Sequence, residues 1–450
     1  MELISEINGK LNDIVWGPVM LALLIWMGLF LSSETKFLQF RKFGYMLKNT
    51  ILGVFSSNQH EKDASGVSPF QAVATAMAGT IGTGSIAGIA TAIVSGGPGA
   101  IFWMWVSALL GMVTKYAEIV LSLHFREKNS KGEWIGGPMY YIRNGLKIKW
   151  LAALFAIFAM FACMGTGNAT QSNSIAIALE STFDIAPWIT GVILTAIAAG
   201  VILGGMRRIA SVNEKLVPLM AVFYVVCSVV ALILNIDKVP AAFSLILKEA
   251  FNLRAAGGGA AGYGIMTAMH YGFSRGVFSN EAGLGSAPIA HAASSTKDPV
   301  KQGLWGMFEV FFTTIVICTL SGIIVLSSGL WNTGEYQGSA LSIAAFNSAI
   351  PTLGGIGVTL ATIFFALSTI LGWAYYGEVC IQYLVKKSEK AIFIYRCFYV
   401  AVVFIGAVGN LDLIWSISET MNGLMIIPNM IGVIGLYRVV TRLTKEHFEK

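Results

Sequence analysis

Gly79-Thr80-Ile81-Gly82-Thr83-Gly84-Ser85-Ile86-Ala87-Gly88 and Ser279-Asn280-Glu281-Ala282-Gly283-Leu284-Gly285-Ser286-Ala287-Pro288 each sit in the middle of a long apolar run. Both contain G-x-G-S, at Gly82–Ser85 and Gly283–Ser286. Taken singly, such a run only lets two membrane helices approach closely. Two runs at matching places in two halves, one with Pro288 and with Glu281 at apparent bilayer depth, predict interrupted membrane helices.

Composition supports that setting. Of 450 residues, 55% are apolar and 12% are charged. So few charges do not cover a water-facing surface, and the length accommodates about ten to twelve spans of roughly 20 residues. Soluble enzyme, secreted disulfide protein, nucleic-acid binder and disordered chain are excluded as starting points. Cys163, Cys227, Cys318, Cys380 and Cys397 lie in or beside apolar runs and form no C-x-x-C pair, so they read as buried small side chains.

Eleven apolar runs appear, at 14–31, 69–96, 99–122, 150–178, 187–205, 215–235, 259–293, 303–330, 352–385, 391–409 and 412–437. The first follows an acidic leader (Glu2, Glu6, Lys10, Asp13), which reads as a retained span rather than a cleaved signal. Of the 30 lysines and arginines, Lys115 and Arg275 lie in the middle of runs, and Lys215 and Arg396 lie at the inner ends of theirs. With the N-terminus outside, only Lys10, Lys238, Lys248 and Arg254 face outward, and all the others fall in inner segments. The positive-inside bias therefore puts the N-terminus outside and the C-terminus in the cytoplasm of a plasma-membrane protein. The longest connections, 33–68 and 123–149, are inner, and 240–251 reads as a short interfacial helix.

An interruption frees N–H and C=O groups that lipid does not satisfy. The half-helix start near Gly84 and Ser85 suits a carboxylate, and the carbonyl ends of the preceding half-helices suit an ammonium group or a small cation. Both together suit a zwitterion, and a small amino acid is the natural cargo. If runs two to six and seven to eleven are two repeats, the ninth run lies beside the first break. Its Ser368 and Thr369 then join the Ala78 and Ile81 carbonyls in an all-oxygen cation site. The alternative is that these hydroxyls bond back to their own helix.

Longer motifs carry a family likeness. GGPGAIFWMWVSALLG (Gly96 to Gly111), TIGTGSIAGIATA (Thr80 to Ala92), TKYAE (Thr114 to Glu118), GGPMYY (Gly136 to Tyr141) and RGVFSNEAGLGSAPIAHA (Arg275 to Ala292) resemble the alanine or glycine:cation symporter family. The likeness runs from Trp16 to Pro428. It implies an all-α polytopic membrane protein with the leucine-transporter-like five-plus-five inverted repeat and one extra N-terminal helix, about 11 spans in all. The chain 1–450 is then a single transporter domain: leading helix 14–31, first repeat 69–235, second repeat 259–437. The resemblance further implies sodium-coupled uptake of alanine or glycine, with proton coupling or a glutamine preference as alternatives. Substrate contacts would be Thr80, Gly84, Gln171, Phe278, Ser279, Asn280 and Glu281. The sodium ion, the only cofactor implied, would lie at Ala78, Ile81, Ser368 and Thr369. The expected partners are the amino-acid substrate and lipid, with no nucleic acid and no obligatory protein. Where many relatives resemble G-T-G-N this chain has Ser85, which leaves alanine, glycine and glutamine open.

Other polar residues give weaker expectations. Lys115 and Glu118 are spaced to pair on one helix face. Arg275 and Glu281 are expected to form a buried pair. His270 reads as a packing histidine and Trp373 as a packing aromatic. Glu309, Glu378, Glu419 and Asn422 read as inter-helix contacts or gate elements. A passive channel lacks its ring of like charges or repeated carbonyl filter. A membrane enzyme lacks a nucleophile, metal cluster or acid/base pair.

Overall fold

A computed structural model describes residues 2–54, 66–251, 261–385, 388–409 and 412–449. Lys62, Arg254, Lys386, Lys387 and Lys450 of the charge pattern lie outside the described residues. The fold is built from helices, with one antiparallel two-strand hairpin pairing Glu127–Lys128 with Trp134–Ile135 in the 123–149 connection. Among the described residues, eight helices are long and apolar enough to cross a membrane. Three further apolar runs correspond to Pro187–Ile202 and to two interrupted helices.

Both interruptions fall on the glycine runs. Helix Pro69–Thr80 begins with a capping box: Ser68 Oγ accepts from Gln71 N at 3.1 Å, and Gln71 Oε1 accepts from Ser68 N at 3.0 Å. It stops at Thr80, passes through a single tight turn at Thr83–Ser85, and resumes as Ala87–Gly96. Helix Ala261–Asn280 stops in the same way and resumes as Ala287–Ala292. Between them Glu281, Gly283 and Gly285 take φ of 57°, 93° and 77°. A right-handed helix does not pass through three such residues, and glycine carries two of them at little cost.

The interrupted helices lie at the centre, against Ala100–His124, Pro299–Val310 and Leu353–Leu384. The interior there is rich in polar groups: Lys115, Glu118, Glu281, His291 and Glu309 are all buried. The periphery is apolar, with Val222, Val226, Ile233 and Leu234 exposed along Met206–Leu234. Exposed apolar faces around a polar centre are the pattern a bilayer covers.

The first run is longer than the sequence suggests. Glu2–Val15 is itself a helix, joined at Trp16 and Gly17 to Pro18–Glu34. Its polar residues bond to Asp412–Gly435: Asn8 donates to Ser416 Oγ (2.7 Å) and Asn12 to Thr420 Oγ1 (3.1 Å). Val239–Ala250 forms the short helix expected at 240–251. Helix Gly338–Ala349 was not anticipated and packs on Ala87–Gly96 and Leu353–Leu384.

Candidate functional site

The carbonyl end of Pro69–Thr80 faces the middle of Leu353–Leu384. Thr369 Oγ1 lies 2.9 Å from the Ala78 carbonyl and Ser368 Oγ lies 3.4 Å from it. Both hydroxyls also reach Phe365 O on their own helix, at 2.9 and 2.8 Å. Each hydroxyl has a single proton. When it goes to Phe365, the hydroxyl lone pairs and the Ala78 carbonyl form an uncharged oxygen cluster of the kind a hard cation accepts. Ile81 is the buried residue that closes this half-helix, its N–H donating to Met77 O at 2.7 Å.

The remaining groups freed at the first break are met by side chains from several helices. Ser321 Oγ donates to Ser85 O (2.7 Å), and Ser342 Oγ donates to Ile86 O (3.1 Å). Gln171 Oε1 accepts from Thr83 N (3.2 Å) and Thr83 Oγ1 (3.0 Å), while its Nε2 donates to Thr166 O (3.0 Å). Gln171 therefore sits at the break with both ends of its amide engaged by protein.

The two breaks touch. A Cβ at Gly84 would lie 2.9 Å from Phe278 Cδ1, so the ring rests directly on the glycine. Ser85 Oγ and Ser279 Oγ are 3.1 Å apart, and Ser279 Oγ is 3.2 Å from Cys318 Sγ. Glu281 is held by Trp373 Nε1 (2.9 Å) and Ser286 Oγ (2.6 Å). Trp373 is thus a donor as well as the buried packing aromatic expected. Asn280 spans its own turn, accepting from Ala282 N (3.0 Å) and donating to Thr314 Oγ1 (3.1 Å). Thr80 and Asn280 meet at Lys115, whose Nζ lies 3.3 Å from Thr80 Oγ1 and 2.7 Å from Asn280 O. The structure therefore gathers Thr80, Gly84, Gln171, Phe278, Ser279, Asn280 and Glu281 around one pair of breaks, with Ala78, Ser368 and Thr369 on the flank.

Two expected ion pairs are corrected. Lys115 pairs with Glu309 (2.8 Å) rather than Glu118, because its side chain crosses to the neighbouring helix Pro299–Val310. Glu118 Oε1 instead accepts from Gly283 N (3.0 Å) and Asn429 Nδ2 (2.5 Å), which fixes the second break. Arg275 pairs with Glu419 (2.6 Å) rather than Glu281. Six residues of helix place the two charges roughly 9 Å apart along the axis. Arg275, Glu419 and Phe278 line a cavity of about 220 Å³, which also borders Trp16 and His270. A second cavity of about 320 Å³ opens beyond Ala293, lined by Glu378 and Arg396, which pair at 2.8 Å. Asn422 is buried, and its amide has no hydrogen-bond partner among the described residues.

Sequence reasoning missed Asn429, His291, Gln302, Ser321 and Ser342. Asn429, Ser321 and Ser342 are isolated polar residues in apolar helices whose partners lie more than 200 positions away, and His291 and Gln302 meet only across the turn between two helices.

The comparisons with known proteins agree with this architecture. The model of the sodium:alanine symporter family matches residues 1–450. A sodium/alanine symporter of Methanococcus maripaludis, AgcS, is 46% identical over 99% of this chain and 97% of its own length. A probable sodium/glutamine symporter of Bacillus subtilis, GlnT, is 37% identical over 99% of this chain and 91% of its own. Among solved structures, MhsT in complex with L-phenylalanine superposes with a TM-score of 0.58 at 11% identity, covering 84% of this chain and 99% of that one. At that identity the likeness concerns the fold, which is that of leucine-transporter-like carriers. The family and the fold are those of transporters rather than enzymes. With the match spanning its whole length, the chain belongs to the sodium:alanine symporter family.

Proposed function

We propose that this protein is a secondary active symporter that carries a small neutral amino acid, alanine or glycine, into the cell together with sodium. The observation that carries the reading is the Ala78 carbonyl at the end of a half-helix, faced by the Ser368 and Thr369 hydroxyls. Sodium binds there first and holds the first break. The zwitterion then completes the site, with its carboxylate toward Gly84 and Ser85 and its ammonium among the polar groups of Ser279, Asn280 and Glu281. Phe278 and Gln171 bound the pocket. Residues 69–235 and 259–437 act as two five-helix repeats, 14–31 is the leading span, and one bundle rocks against the rest. The N-terminus is outside and the C-terminus cytoplasmic, as the lysine and arginine pattern requires. Arg275–Glu419 then closes the outer cavity and Arg396–Glu378 the inner one.

One net charge moving inward across about 100 mV supplies roughly 2.3 kcal/mol, which sustains about 50-fold accumulation. The test is uptake of labelled alanine and glycine into proteoliposomes. Replacing external sodium by potassium at constant pH abolishes accumulation if the reading is right, and leaves it unchanged if it is wrong. A relative described as a probable sodium/glutamine symporter and Ser85, a short side chain beside Ser279, make glutamine the substrate to run in parallel.

A further inference from the structure

The two half-helices that end at the breaks offer their carbonyls to different surroundings. Ala78 O faces the neutral hydroxyls of Ser368 and Thr369. Asn280 O faces an ammonium group. Lys115 Nζ has three acceptors, Asn280 O at 2.7 Å, Glu309 Oε1 at 2.8 Å and Thr80 Oγ1 at 3.3 Å. All three are oxygens. Two come from the last residues of the two half-helices, and the third is a carboxylate from Pro299–Val310. Three donors meet three acceptors, so the ammonium is fully used. The Lys115 and Glu309 side chains are both 0% exposed.

The carboxylate is itself held. His291 Nε2 lies 3.2 Å from Glu309 Oε2, and Gln302 Nε2 lies 2.9 Å from His291 Nδ1. The Gln302 oxygen accepts from Ser294 Oγ at 3.3 Å, which turns its amide nitrogen toward the ring. His291 Nδ1 is then the acceptor and Nε2 carries the proton donated to Glu309. Glu309 is thereby kept as an acceptor facing Lys115.

We propose that Lys115 is a resident cation: its ammonium occupies, at the carbonyl end of the second half-helix, a seat whose all-oxygen donor set otherwise takes a metal ion. This inference rests on the sodium-symport reading and adds that only the first seat, at Ala78, takes its cation from solution. The contrast between the seats is chemical. A carboxylate buried beside a helix carbonyl is costly to keep ionised unless a positive charge is in contact, and here the chain supplies that charge on its own tether. Because the tether reaches both Thr80 and Asn280, Lys115 also acts as a positioning residue that locks one break to the other.

The experiment combines the unmodified protein with Lys115→Ala in proteoliposomes. In the unmodified protein, the reversal potential at set sodium gradients gives one charge per alanine. Two charges per alanine overturn the proposal, whereas uptake that ignores sodium altogether overturns the symport reading beneath it. Lys115→Ala leaves Glu309, Asn280 O and Thr80 facing an unfilled seat. Its uptake falls at least about tenfold at the sodium concentration that saturates the unmodified protein. High sodium or methylammonium restores it, with the Hill coefficient for sodium rising from about one toward two. Lys115→Met with Glu309→Gln removes the seat's charge; uptake then still needs sodium at the Ala78 seat, but neither methylammonium nor sodium above the level that saturates the unmodified protein changes it. Uptake by Lys115→Ala with an unchanged sodium dependence overturns the proposal. So does a monodisperse Lys115→Ala protein that neither cation restores. If that variant does not fold, the charge-to-alanine ratio of the unmodified protein decides.

Discussion

At Ser368 and Thr369 two hydroxyls compete for two carbonyls, Phe365 O on their own helix and Ala78 O across the gap. A cation in the gap would tip that competition, because it would take the hydroxyl lone pairs and leave the protons for Phe365. On the sodium-site reading, Ser368→Ala with Thr369→Ala removes two oxygen ligands worth about 1 kcal/mol each. Half-saturating sodium for alanine uptake is then expected to rise by roughly 30-fold, read from uptake against sodium concentration. An unchanged value would clear those hydroxyls of the role. Gly167 makes a steric case of its own. A Cβ there would lie 2.3 Å from Trp373 Cβ, an atom without freedom to move away. Gly167→Ala is expected to cost about 1–3 kcal/mol through overpacking, seen as a lower melting temperature in detergent. It also displaces the indole that holds Glu281, so alanine affinity falls with it.

The broken elements depend on helper residues outside them. Ser321 and Ser342 each satisfy one carbonyl of the first break, Ser85 O and Ile86 O. A buried carbonyl left without a donor costs about 1–3 kcal/mol. Ser321→Ala and Ser342→Ala are each expected to lower thermal stability by that order, without altering the sodium requirement. A shift in sodium affinity instead would place these hydroxyls in the transport cycle. The same dependence explains which ion pairs sequence spacing misjudges. Lys115 and Glu118 share one helix face, and local spacing allows a pair. Lys115 is drawn to Glu309 and the open Asn280 carbonyl, and Glu118 to the open Gly283 amide. Freed backbone groups outbid a neighbour on the helix, because in a buried site each one needs a partner.

For the whole molecule, the charge pattern makes an expectation about sidedness. A single cysteine placed at Lys248, in the helix Val239–Ala250, is expected to react in intact cells with a maleimide that does not cross membranes. One at Lys445, in the helix Tyr437–Phe448, reacts only after permeabilisation. The native cysteines are first replaced, since Cys397 is exposed. The reverse labelling pattern would invert the orientation. On the proposed alternating-access cycle, the two cavities beside the site are the candidates for its outer and inner approaches. The Arg275–Glu419 pair lines one and the Arg396–Glu378 pair lines the other. If the Arg275–Glu419 pair closes its cavity during transport, Glu419→Gln is expected to speed labelling of a cysteine at Phe278, and unchanged labelling would remove the pair from that role.

The sequence determined what depends on composition and on local backbone chemistry. Twelve per cent charge in 450 residues requires a bilayer. Two glycine runs at matching places in two apolar halves point to breaks, and a break requires partners for its dipoles. Those rules act within a few residues, so the positions of both interruptions and most residues around them are legible along the chain. The tertiary structure alone decided which partner each freed group received. Lys115 meets Glu309, Glu118 meets Gly283 and Asn429, and Ser342 reaches Ile86 across 256 positions of sequence. Such pairings follow from which helices lie side by side. Apolar helices of similar length and hydropathy carry little record of their neighbours, since packing in lipid selects shape rather than pattern.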